Sequence, residues 1–73
     1  MKRTELNNQA SNYLKAELAR NGVDYIQLTE KLRAIGADET YQAVSAKINR
    51  GTFSFAFFMQ CMKALQIETI KLR

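Results

Sequence analysis

The stretch DYIQLTEKLRAIGADETYQAVSAKINRG, residues 24–51, decides the fold. It holds two amphipathic segments, 24–35 and 40–50, each followed at once by a glycine, Gly36 and Gly51. Glycine enters the left-handed conformation that ends a helix at little steric cost. A third glycine, Gly22, closes the segment before them. The spacing therefore predicts four short helical units with tight connections. The middle pair has the outline of a helix, a glycine-containing turn and a second helix.

Working outward, the first helix is expected from near Thr4 or Asn8 to Arg20. Leu6, Ala10, Leu14 and Leu18 recur at four-residue steps beside Tyr13, which makes one apolar stripe. The second helix opens at Asp24, whose carboxylate can accept from free backbone N–H groups, and Gln27 is placed to reach back in a capping box. Tyr25, Leu28, Leu32 and Ile35 supply its apolar side. No segment before residue 66 alternates with a period of two, so the body is all-α.

The chain of 73 residues allows one domain, residues 1–73, with its core in 12–67. A chain this short buries a limited part of its surface, so a second subunit would help it. With Cys61 as its only cysteine it can form no internal disulfide, which suits a reducing cytoplasm. The N-terminus turns polar too soon for a signal peptide, and the longest apolar run, 55–59, is too short to cross a bilayer. A soluble, cytoplasmic protein is expected.

Charge is uneven along the chain. Up to residue 39 the cations Lys2, Arg3, Lys15, Arg20, Lys31 and Arg33 are balanced by Glu5, Glu17, Asp24, Glu30, Asp38 and Glu39. Beyond it Lys47, Arg50, Lys63, Lys71 and Arg73 face Glu68 alone, so the whole net charge of +4 comes from the third helix onward. Such asymmetry favours a polyanionic partner, although a modestly basic domain is also ordinary.

The third helix sharpens this. Tyr41, Val44 and Ile48 share one side, which is expected to be buried. At 100° per residue the opposite side collects Gln42, Ala43, Ala46, Asn49 and Arg50, with Lys47 at its flank and no acid. Amides pair with base edges, a cation meets guanine or phosphate, and small side chains let a helix sink toward a groove floor. Helix propensity alone can also select Ala and Gln, which is the lesser reading of this side.

The run from Leu14 through Glu17 and Arg20 to Val23, then Gln27 to Leu32, then Val44 through Lys47, Ile48 and Arg50 to Gly51, then Phe58 to Ile67, resembles the lambda-repressor-like (XRE-type) helix-turn-helix family. It is similar still more to a branch of small uncharacterised bacterial domains with a Lys-Ile-x-Arg-Gly ending and an aromatic-rich helix after it. The resemblance covers roughly 12–67. It implies an all-α bundle of four to five helices that binds double-stranded DNA as a transcriptional regulator, with helix 40–50 in the major groove. By position, Gln27 would approach a phosphate. Gln42, Ser45, Ala46 and Asn49 would face bases, while Lys47, Arg50 and Thr52 would hold the backbone. The link 32–40 is longer than in typical members, so the docking angle is not carried over.

The fourth helix, about 54–65, is apolar over a wide arc. Phe55, Phe58, Met59, Met62 and Leu65 are expected to fill the core, with Phe57, Cys61 and Ala64 as a second strip and Ala56, Gln60 and Lys63 in water. The tail 67–73 reads as a short strand, a last helical turn or a frayed end. Tail residues 67–72 and the Phe57 strip are two candidate surfaces for a homodimer, and the tail is favoured. Histidine is absent, Cys61 sits in an apolar helix, and no metal spacing or phosphate loop exists. No enzyme, cofactor, metal, membrane or small-molecule substrate is expected. The alternative to DNA binding is a protein-interaction domain that kept the fold and lost nucleic acid.

Overall fold

Capping chemistry sets where the helices begin. The computed structural model describes residues 2–70 and contains, among them, four helices and no strand. They are α1 (Arg3–Arg20), α2 (Tyr25–Ala34), α3 (Tyr41–Arg50) and α4 (Phe55–Ala64). Asp24 caps α2 through the predicted box, its Oδ1 accepting from the Gln27 N–H at 2.8 Å while Gln27 Oε1 accepts from the Asp24 N–H at 3.0 Å. Hydroxyls cap the next two: Thr40 accepts from the Ala43 N–H and Ser54 from the Phe57 N–H. Each satisfies a donor that a helix start leaves free. Only α1 starts without a side-chain cap, on Lys2.

The ends follow one pattern with one exception. After α1 and α2 the N–H groups of Val23 and Ala37 return to the carbonyls of Leu18 and Leu32, with Gly22 and Gly36 left-handed between. After α4 the Ile67 N–H returns to Met62 O at 2.8 Å, and the left-handed residue there is Gln66, at φ 60°. The exception is Gly51, which ends α3 and is also pressed against another helix. A Cβ on it would lie 1.9 Å from the Asn7 carbonyl oxygen of α1. Here glycine is required twice, for its φ of 70° and for the close approach of two backbones.

Leu14, Leu28, Leu32, Val44, Ile48 and Cys61 are fully buried at the centre. Around them close Leu18, Phe57, Met62 and Leu65. Backbone contacts run from α3 to α1 and α2, and from α4 to α2. Thus α3 lies on both earlier helices while α4 covers α2. The long link 35–40 is fastened: Ala37 is buried, and Arg33 Nε donates to Glu39 O at 2.9 Å.

Several expected core residues stand elsewhere. On α4 the stripe is rotated: Phe57 and Cys61 join Met62 and Leu65 inside, Phe58 is half-buried, and Phe55 and Met59 are 72% and 45% exposed. A helix apolar over most of its circumference offers several equivalent stripes, and packing against α2 selects one. Since Phe57 and Cys61 belong to the chain's own core, that strip offers no free dimer surface. Tyr41 and Ile35 lie at helix ends beyond the core and are 45% and 48% exposed. Leu6, in the overhanging first turns of α1, is exposed as well. Residues 67–70 hold neither strand nor helix, and 71–73 of the tail fall outside the described residues.

Candidate nucleic-acid interface

A ten-residue helix with Val44 and Ile48 turned fully inward must turn Gln42, Asn49 and Arg50 outward, and all three are exposed. Ser45 is half-buried at the edge of that side, Ala46 is half-buried in the middle of it, and Thr52 is exposed just past its end. Ala43, expected on the same side, is half-buried. The structure thus brings Gln42, Ser45, Ala46, Asn49, Arg50 and Thr52 onto one side and end of α3. None of the residues in α3 is acidic. Arg50 enters no ion pair among the described residues.

Lys47 does not stand with them. Its Nζ is 2.8 Å from Glu39 Oε2 and 4.7 Å from the centre of the Phe57 ring. The carboxylate side chain is only 12% exposed, so the pair is shielded from solvent on one side. A carboxylate and an aromatic face that share one ammonium hold it against the body of the protein. The sequence places Lys47 within one turn of Arg50, and tertiary structure gives the two cations different partners.

Gln27 is also apart. Its carbonyl is used in the α2 cap, and it lines a shallow open cleft with Asn21, Gly22, Val23, Glu30 and Lys31. The residue of α2 that meets α3 is Tyr25, two positions earlier. Its hydroxyl donates to Asn49 Oδ1 at 3.2 Å, and Asn49 Nδ2 donates to Ser45 Oγ at 3.4 Å. The sequence places Tyr25 on the apolar side of α2, and its ring packs half-buried against the core. Nothing in the helical period could foretell that its hydroxyl would reach a residue 24 positions away. Burial, and then the neighbouring Tyr41, push the Tyr25 phenol above its ordinary value, so it remains a neutral donor.

The family model for a domain of unknown function, DUF6471, matches residues 6–70, which takes in all of α2 to α4 and most of α1. The chain belongs to the DUF6471 family. No curated protein and no solved structure matches it.

The one cysteine of this DUF6471 domain lies in α4. The Cys61 thiol is fully buried, and burial pushes it up to about 12, with Glu39 adding to the rise and Lys47 opposing it. A thiol so placed stays protonated and unreactive near neutral pH. No cluster of metal-ligating side chains occurs among the described residues, and no described helix is long and apolar enough to cross a membrane.

Proposed function

We propose that this domain binds double-stranded DNA as a lambda-repressor-like helix-turn-helix protein, a cytoplasmic transcriptional regulator with α3 in the major groove. The observation that carries this reading is the outward side of α3, with two amides, a hydroxyl, a free guanidinium and no carboxylate. Asn and Gln amides match the edge of adenine, and arginine matches guanine or a phosphate. Ala46 adds no bulk between them. Gln42, Ser45 and Asn49 then face bases, and Arg50 and Thr52 hold the backbone. Lys47 and Gln27, occupied as described, act through structure. A single such module reads few base pairs, so we propose a homodimer on paired half-sites, joined through the tail from Ile67 onward.

The test is a fluorescence titration of the full chain with labelled duplex DNA flanking its own gene, repeated across salt concentrations. Arg50→Ala is expected to weaken binding to every duplex and to lower the salt slope by about one. Lys47→Met should leave the slope unaltered, because that charge is already paired. No salt-dependent binding by the parent would sink the reading.

A second reading has its own observation. Phe55 and Met59 present apolar surface one turn apart on α4, with the Phe58 ring stacked against Phe55 and the Tyr13 ring tilted against Phe58. Exposed apolar surface of this kind suits a protein partner. If DNA binding is absent, protein interaction is the function to pursue.

A further inference from the structure

The geometry points to Tyr25 as the residue that positions Asn49 to read an adenine, an inference that rests on the DNA-binding reading above. Asn49 is exposed on the outward side of α3, with Gln42 two turns earlier at nearly the same angle. An asparagine reads adenine with two bonds at once: its oxygen accepts from N6–H and its nitrogen donates to N7. That needs the amide plane held and the oxygen and nitrogen on the correct sides. A solvated asparagine satisfies neither condition before binding.

Both conditions have a partner here. The Tyr25 hydroxyl donates to Oδ1 at 3.2 Å, and Ser45 Oγ accepts from Nδ2 at 3.4 Å. A phenol is a good donor and a poor acceptor because its lone pair is shared with the ring, so the oxygen of the amide is favoured on the Tyr25 side. Each bond uses half of its atom's capacity. One lone pair on Oδ1 and one hydrogen on Nδ2 remain, which is the complement of an adenine edge. Tyr25 can anchor the amide because its ring packs against the core, at the first residue of a helix capped by Asp24. The ordering entropy of Asn49 is thereby met on folding and not on binding.

The experiment is selection from a pool of randomised duplex DNA by the full chain, as parent, Asn49→Ala, Tyr25→Phe and the double variant. The parent should enrich an adenine at one position that Asn49→Ala no longer selects. Tyr25→Phe keeps the packed ring and should lose the same preference, with about tenfold weaker binding to the best duplex, within the range that one bidentate contact contributes. Affinity for the unselected pool should not move, which separates positioning from a general structural fault. The double variant should be no worse than Asn49→Ala alone. Retained adenine preference in Tyr25→Phe, or additive losses in the double variant, overturns the inference and leaves the DNA-binding reading standing. A parent that binds no duplex overturns both.

Discussion

Helices α3 and α4 have the same length, and each starts on a hydroxyl cap, yet they differ in what the sequence discloses about them. Between the ends of α3 the large aliphatic side chains are Val44 and Ile48, set among polar or small neighbours, so the inward direction has one solution. In α4 three phenylalanines, two methionines and a cysteine share ten positions. Several directions would bury a comparable area, and the hydrophobic effect does not distinguish among them from spacing alone. Selection comes from outside the helix. Cys61 and Phe57 are drawn in where α2 and Lys47 meet them, while Phe55 and Met59 are left in water. A helix reports its own phase only when its composition is lopsided.

The largest expected effect breaks or upholds this contrast directly. Phe57→Ala should cost roughly 3–5 kcal/mol, and Ile48→Ala roughly 2–5 kcal/mol, since both side chains fill the core. Phe55→Ala, two positions from Phe57, should cost less than about 1 kcal/mol, because an exposed ring has little burial to lose. Losses of several kcal/mol approach the whole stability of a domain this small. Urea melts followed by circular dichroism would settle the order. Equal losses at Phe55 and Phe57 would mean that α4 is turned the other way.

What could be read from the sequence is local. Helix number, the Asp24–Gln27 capping box and the ends at Gly22, Gly36 and Gly51 all depend on residues within a turn of one another. The proposed site was legible to the same extent, because the outward side of α3 follows from Val44 and Ile48. What escaped was tertiary. Glu39 reaches Lys47 across the link, Tyr25 reaches Asn49 from another helix, and the α1 backbone lies against Gly51. The link 32–40 read as a lengthened connection, and its fastening by Arg33 was not visible in its composition.

A smaller effect separates the glycines. Gly51→Ala must accommodate a methyl against the Asn7 backbone and hold a left-handed alanine, so a loss on the order of 3 kcal/mol is expected. Gly22→Ala meets nothing within 4 Å and carries only the conformational penalty, about 1 kcal/mol. Comparing the two melting curves isolates the packing of α3 on α1, since the backbone angles are 70° and 65°. If both substitutions cost the same, the close approach at Asn7 is absent in solution.

The smallest effect concerns the ends of the two helices, and it has the opposite sign. Where α3 ends on left-handed Gly51, α4 ends on left-handed Gln66, a residue whose Cβ disfavours that region. Gln66 is exposed and donates or accepts no side-chain hydrogen bond among the described residues, so replacing it removes little. Gln66→Gly should therefore stabilise the domain by up to about 1 kcal/mol, the strain relieved being partly offset by the greater freedom of glycine in the unfolded chain. The bond from the Ile67 N–H to Met62 O anchors this turn, and Ile67 packs on the core, so the gain is expected only while that contact holds. Replacing Ile67 as well, as Ile67→Ser, should remove the benefit of the glycine. Should Gln66→Gly lower the melting temperature instead, the turn after α4 does not hold a left-handed residue, and the likeness between the two helix ends fails.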